Sequence, residues 1–449
     1  MKHHFSQKVK PENLTDPEVA ISPFPASKTK YEEKQQTPPT GIWKTLDSLR
    51  VPGYRWFVSA LMSSFAAMNI QMFIRGYLVF QLTDSYAYLG ALSIAQGLPM
   101  LILSVFGGVL ADSVQKKYVV QVGQIVNSLN AFLIAFWIIS DLIVVEHLLA
   151  AAFVQGAVMA LQQPSRQALT PEVVGLERLT NALGLSMVGL NINRLIMPAL
   201  AGSILAIINP EEGIGGAEYI YIVMGSFYLL ASVLMIPVPK SSRENKQKRT
   251  IQNALRELQD GMIYVKNNST VRILLITNLL VVSGSMPYQI LLPGIVDEVL
   301  GVGKSGLGFL MSLQGIGSIF GSFFIASMGT KKRGRTMLYS GVLLGISLLF
   351  FSISTNYFLT AGILIIVGLS QIGRMSLGNV LIQSYSENEY RGRVMSLFYV
   401  SFGISMFATF LIGIIASWVG PQIAIGASSV WLLILVFYLM LKTKIPNLD

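Results

Sequence analysis

The sequence predicts an all-α membrane protein with twelve transmembrane helices in two six-helix bundles. Three observations carry this: few charges, long uncharged runs, and basic and acidic loops that alternate along the chain. Hydrophobic residues make up 52% of the 449 residues and charged residues only 12%, about half the charged share of a soluble domain. The mean hydropathy is +0.58. About 20 apolar helical residues cross a hydrocarbon core, and in lipid only helices or closed barrels satisfy every backbone group. The apolar runs are too long and continuous for barrel strands, so the fold is helical.

The composition also narrows the chemistry. There is no cysteine, which excludes disulfides, thiolate metal sites and cysteine catalysis. His3, His4 and His147 are scattered, and no metal site or cofactor is expected. No catalytic triad spacing or phosphate loop occurs in the aqueous segments, so an enzyme is not expected. The net charge of +10 reads as basic loops facing an anionic leaflet rather than as a nucleic-acid surface.

Residues 1–54 are polar, with Pro38 and Pro39 and no apolar core of a signal peptide; a disordered cytoplasmic tail is expected. The first span then runs from about Arg55 to Phe80, and the other eleven centre near Leu98, Asn130, Gly156, Asn193, Phe227, Ser285, Gly317, Gly345, Gly368, Ser405 and Trp431. Basic residues collect on one set of loops: Lys116 and Lys117, Arg166 and Arg178 around the link between spans four and five, Lys240 to Lys266, Lys331 to Arg335, Arg391 and Arg393, and Lys442 and Lys444. The alternate loops carry Asp141, Glu146, Glu211, Glu212, Glu218, Asp297 and Glu298, with Lys304 as their only Lys or Arg. By the positive-inside rule both termini are cytoplasmic, and a multi-pass protein of the inner (plasma) membrane is expected. A miscounted helix would scatter the basic clusters over both sides.

The expected domains are a bundle over 55–238, a cytoplasmic linker over 239–270, a second bundle over 271–442 and a short cytoplasmic tail over 443–449. Within the linker Ile251, Leu255, Leu258 and Met262 recur at helical spacing, predicting an amphipathic helix on the membrane surface or against the bundle. The halves echo each other: Gly108 with Lys116 and Lys117 after span two, Gly321 with Lys332 after span eight, Arg178 before span five and Arg391 before span eleven, offset by a little over 210 residues. Two parallel six-helix repeats with the solute site between them are a known transporter plan.

The stretch Gly108-Val-Leu-Ala-Asp112-Ser-Val-Gln-Lys116-Lys117 resembles the loop signature of the major facilitator superfamily, with Ser113 and Gln115 as departures. Gln163-Pro-Ser-Arg-Gln-Ala-Leu-Thr-Pro171, Asn193-Arg194, Pro198-Ala-Leu-Ala-Gly202, Leu292-Pro293 and Arg391-Gly-Arg-Val-Met-Ser396 are similar to the branch of siderophore exporters and macrolide and drug efflux proteins. The resemblance implies the major facilitator fold and secondary export driven by the proton gradient. It also implies a cytoplasmic gate of Gly108, Asp112, Lys116, Lys117, Arg391 and Arg393, with Asp112 facing the start of span eleven, where a carboxylate is favoured by the helix dipole. Gly184, Gly189, Pro198 and Gly202 resemble the glycine- and proline-rich signature of antiporters, and plain helix packing explains them equally well. The family's fourth span often carries an arginine three residues before a Gln-Gly pair; here Ala152 precedes Gln155 and Gly156.

Arg75, Arg194 and Arg374 fall within spans one, five and ten. A guanidinium at the bilayer centre costs about 2.5–3.5 kcal/mol on insertion scales, so such residues face the interior and mark a pathway or a fixed pair. Arg75 is alternatively in reach of Asp84, Arg374 of the cytoplasmic interface, and Arg194 of the carbonyls near Pro198. No Asp, Glu or His falls within a predicted span. Unpaired cations point to an anionic or carboxylate-bearing solute, and any proton must ride on Asp84, Asp112, Asp297, Glu298 or the solute. Gln71, Asn191, Asn278, Tyr288, Gln289 and Gln314 are mid-span polar groups that either line a cavity or bond between helices. The expected function is alternating-access export of a small amphipathic or anionic solute (a drug, siderophore or metabolite) by a monomer. Import or lipid movement on the same scaffold is one alternative; a non-transporting membrane scaffold or sensor is another.

Overall fold

The computed structural model describes residues 46–210, 213–240, 251–328 and 332–449. The expected disordered tail lies outside them up to residue 45, as do the basic residues 241–250 of the linker. Twelve helical segments among the described residues are long and apolar enough to cross a membrane. In order, α1 is Pro52–Thr83, α2 Tyr86–Ser113, α3 Lys116–Ile139, α4 Val145–Val174, α5 Leu179–Ile208 and α6 Ala217–Leu234. The linker helix α7, Ile251–Asn267, follows. The seventh span is α8, Ser269–Ser285, then α9, Pro287–Gly294, and a π-helical turn, Ile295–Leu300. The rest are α10 Gly303–Ser327, α11 Arg333–Ile353, α12 Tyr357–Ser384, α13 Arg391–Val419 and α14 Pro421–Lys442.

Local chemistry sets several boundaries. Pro52 starts α1, where its missing N–H is an orphan in any case. Asn268 and Asn356 cap α8 and α12, accepting from Val271 N and Leu359 N at 3.1 Å each. The buried Lys117 ammonium donates to Ile236 O at 2.6 Å and Val238 O at 2.7 Å, capping the carbonyl end of α6. Pro287 divides the seventh span after Ser285, and Gly301 in a left-handed conformation (φ 59°) ends its π turn.

Two ends differ from the sequence reading. Residues 46–54, assigned to the tail, are folded: Asp47–Arg50 form a 3-10 turn, Ser48 is fully buried and Asp47 pairs with Arg178 at 3.0 Å. At the other end Ile445–Asn447 form a second turn, and Leu448 O accepts from Gly334 N at 2.9 Å. In both cases a partner far along the chain, Arg178 or Gly334, orders a short segment whose fold the local sequence alone does not reveal.

Helices α1–α6 pack among themselves, as do α8–α14, and the two sets meet along two antiparallel seams. In one seam α5 meets α10, with Gly202 and Pro198 against Gly308 and Leu195 against Gly315. In the other α2 meets α13, with Gly90 against Gly413 and Gly97 against Gly403 and Met406. Small residues let these backbones touch. These contacts run from the face with the acidic loops to about the middle of the helices. Further contacts at the acidic face join the halves: Tyr86 OH donates to Glu298 Oε2 at 2.7 Å, Gln81 Nε2 to Asp297 Oδ2 at 3.3 Å and Ala87 N to Ser417 Oγ at 2.8 Å. Toward the basic face the seams part, and Gly108, Gly184 and Gly392 have open space where a Cβ would point.

Candidate functional site

Below the contact of Leu101 on α2 with Gly403 on α13, a cavity of about 540 Å³ opens at the basic face. Its walls come from α2, α4, α13 and the linker helix α7. Met100, Met159 and Met395 give an adaptable apolar surface, and Gln163, Gln167 and Ser396 supply polar groups. Gln167 Nε2 donates to Tyr399 OH at 3.0 Å, a bridge between the halves. The linker helix is fixed to the start of α13: Tyr264 stacks on Tyr390 at 4.4 Å, its hydroxyl accepts from Glu387 N at 3.1 Å, and Asp260 faces Arg393 at 3.9 Å. Leu258 on its other side lines the cavity.

The expected gate residues surround this mouth without closing it. Arg391 Nε donates to Gln383 O at 3.0 Å, within its own half. Lys116 pairs with Glu172 at 2.5 Å, and Lys117 caps α6, so both lysines are tied within the first half. Asp112 lies in the last turn of α2.

Deeper in, each half carries a buried polar network. In the first half Gln155 Nε2 donates to Gln71 Oε1, Tyr228 OH donates to the same oxygen at 2.8 Å, and Arg75 Nη1 donates to Gln155 Oε1 at 2.5 Å. Arg75 is only 4% exposed; its Nε and Nη2 make no close hydrogen bond, and the buried Tyr221 hydroxyl is within electrostatic range of the guanidinium. It turns to Gln155 rather than to Asp84, because Gln155 lies across the helix interface whereas Asp84 lies beyond the end of α1. In the second half Gln314 Nε2 donates to Tyr288 OH at 2.7 Å and to Gln371 Oε1 at 3.0 Å, and Tyr288 OH donates to Gln371 Oε1 at 3.0 Å. Gln71 and Tyr288, like Gln155 and Gln371, are separated by a little over 210 residues, so the networks occupy equivalent places in the two repeats.

Arg194, at the middle of α5, is half-buried and within electrostatic range of Tyr288 across the divide. Gln289 approaches Met72 Sδ at 3.8 Å between α9 and α1, and Asn191 is half-buried on α5. Asn278 and Arg374 are elsewhere: both are buried inside the second half, where Asn278 Nδ2 donates to Ser401 Oγ at 2.9 Å. Arg374 does not reach the membrane interface. Gly189 packs on Met62, while Pro198 and Gly202 form the close seam with α10.

One cation was hidden from the sequence reading. Arg166, expected to flank the link between spans four and five, lies inside α4, about 12 Å from its end at 1.5 Å per residue. Its guanidinium sits over the Phe65 ring at 5.1 Å and within electrostatic range of Tyr228. Helix α4 continues through both Pro164 and Pro171. The equal spacing of Gln155 and Gln371 was the available signal for the paired networks.

Residues 44–449 match the family described as transmembrane secretion effector. The staphyloferrin A transporter of Staphylococcus aureus is 25% identical over 365 residues, covering 80% of this chain and 89% of its own. Macrolide efflux protein A of Streptococcus pyogenes is 25% identical over 331 residues, covering 71% and 79%. Among solved structures, the nucleoside transporter NupG superposes with a TM-score of 0.66 at 12% identity, over 87% of this chain and 98% of its own. A POT family transporter in complex with a thioalcohol-conjugated peptide gives a TM-score of 0.69 at 11% identity, over 88% and 98%. These two likenesses establish the fold. The chain is a multi-pass membrane transporter with efflux proteins among its relatives, not an enzyme, and it belongs to the transmembrane secretion effector family of the major facilitator superfamily.

Proposed function

We propose that the protein exports a small anionic or amphipathic solute by alternating access, in exchange for protons. One observation carries the reading: Arg75, Arg166 and Arg194 lie in the interior of membrane-spanning helices, while every described Asp or Glu on those helices sits in a first or last turn. Guanidinium stays charged in proteins, so a solute carboxylate entering between the halves meets uncompensated cations. Arg194 is the primary contact, with Tyr288 within electrostatic range of it; Gln71, Gln289 and Gln314 are the further polar contacts of this reading, and Arg75 and Arg166 add positive charge from the first half. The methionine-lined cavity accepts the apolar part of the solute. Export rather than import is supported by the efflux relatives, and a sealed acidic face with a parted basic face suits loading from the cytoplasm. In the opposite state Asp112 moves onto the start of α13 near Arg391. Glu298 and Asp297, which hold the acidic-face seam, are the carboxylates placed to couple a proton to its opening.

In this reading both termini are cytoplasmic, in the inner membrane. Reporter fusions at Gly215 and Tyr357 should report the outside; cytoplasmic signals at either would overturn the orientation. The solute is found by comparing metabolites retained by a deletion strain. Its affinity is then measured in purified wild type, Arg194→Ala and Arg194→Lys. Alanine should weaken binding by about thirtyfold or more, the low end of the range for removing one partner of a buried charge pair, with the melting temperature unchanged. Lysine should restore only part, because it keeps the charge and loses the bidentate fork. Equal affinity in all three would remove the anion-binding role.

A further inference from the structure

Among the described mid-span arginines, Arg374 alone lies outside the passage proposed above. It lies on α12, 6% exposed, among α8, α11 and α14 of the second half. Its Nη1 reaches Asn278 Oδ1 only at 3.4 Å, and its Nε has no protein partner. Beside it is a cavity of about 10 Å³ whose polar wall is Arg374, Thr277 and Asn278 and whose apolar wall includes Leu274, Met337 and Val436. The Thr277 hydroxyl, also buried, has no partner.

Among the described residues, Arg374 is the one charged residue in the cavity wall. The other charges on the helices around it are basic and lie at helix ends, and their acidic partners come from outside these helices, as Asp260 on α7 does for Arg393. The surrounding α8 carries Arg272, α11 carries Arg333 and Arg335, and α14 carries Lys442. On α10 and α13, which also pack on this half, the charges are Lys304, Arg391 and Arg393. None of these helices carries an Asp or Glu. A buried charge is tolerated when paired and costly when it is not. Water in the cavity would satisfy hydrogen bonds and leave the charge uncompensated. The space is of the order of one water molecule, which excludes a carboxylate-bearing solute or a phosphate.

We propose that this cavity binds a monovalent anion of halide size, held by Arg374 Nε–H and the Thr277 hydroxyl. It neutralises the interior of the second half and takes no part in the passage of solute. The site stands or falls independently of the transported solute, since no wall residue lines the cavity between the halves.

The test is thermal melting of the purified full-length protein in sodium chloride or bromide against sodium gluconate at equal ionic strength. Wild type should melt several degrees higher in halide, with a saturable dependence on its concentration. Arg374→Met should lose the halide dependence and melt in gluconate at or above the wild-type value, since no buried charge remains. Thr277→Val, a smaller perturbation, should raise the half-saturating halide concentration several-fold and leave melting in gluconate unchanged. Equal melting of wild type in halide and gluconate would mean that the cavity holds water only. A wild-type halide increment retained in Arg374→Met or unaltered in Thr277→Val would place the anion elsewhere. Either result overturns the proposal.

Discussion

Gly308→Val is expected to abolish transport and to lower the melting temperature sharply. A Cβ at Gly308 would lie 2.4 Å from the Pro198 carbonyl oxygen and 3.2 Å from Gly202 Cα. Both obstacles are backbone, so no side chain can rotate out of the way and α5 and α10 must separate. Overpacking of this kind costs about 1–3 kcal/mol, and here it also breaches the seam that seals the acidic face. Gly184→Val, on α5 where a Cβ meets open space, is the control and should melt like wild type. The two variants are compared by thermal melting in detergent and by export from cells at matched protein levels. Wild-type melting of Gly308→Val would show that the backbones are not in contact there.

Arg75→Met is expected to do the opposite to stability: transport falls by about a hundredfold while the melting temperature holds or rises. Replacing a buried charge by an apolar side chain of similar volume is often neutral or stabilising. After the substitution Gln155, Gln71 and Tyr228 still bond to one another. What is lost is attraction for the anion and the order Arg75 imposes on Gln155, a truncation worth about 2–5 kcal/mol where the charge is engaged. Arg75→Lys should recover little, because a point charge does not reproduce the guanidinium fork. Solute affinity and export per folded molecule, measured beside melting, separate the cases. Full transport with a lowered melting temperature would make Arg75 a structural residue.

Hydropathy and loop charge were enough to read twelve spans, because lipid imposes a length and a polarity on each crossing. They do not say which way a side chain points once inside. Arg75, Arg194 and Arg374 looked alike as charges within apolar runs, yet one joins a glutamine network, one faces the divide and one is enclosed in the second half. Only the packing of helices far apart in sequence decides this, as with Arg75 and Gln155, 80 residues apart. The fourth span shows the same limit. Ala152 stands where the family often has an arginine, and the guanidinium beside Gln155 comes instead from α1. The folding of residues 46–54 escaped notice because it depends on Arg178, more than 130 residues further on.

The anchoring of α7 bears on how the chain is made. Its tyrosine clasp, Tyr264 on Tyr390, joins residues separated by about 125 positions, which a ribosome working at roughly 5–20 residues per second takes several seconds or more to synthesise. During that interval the first six helices are already inserted, and α7 has α2 beside it but not yet α13. The nearest apolar phase is the bilayer it emerges beside, where an amphipathic helix lies flat among the headgroups. Nascent α7 is therefore only partly anchored until Tyr390 and the start of α13 follow, and truncations ending before Tyr390 should aggregate more in detergent than the full chain.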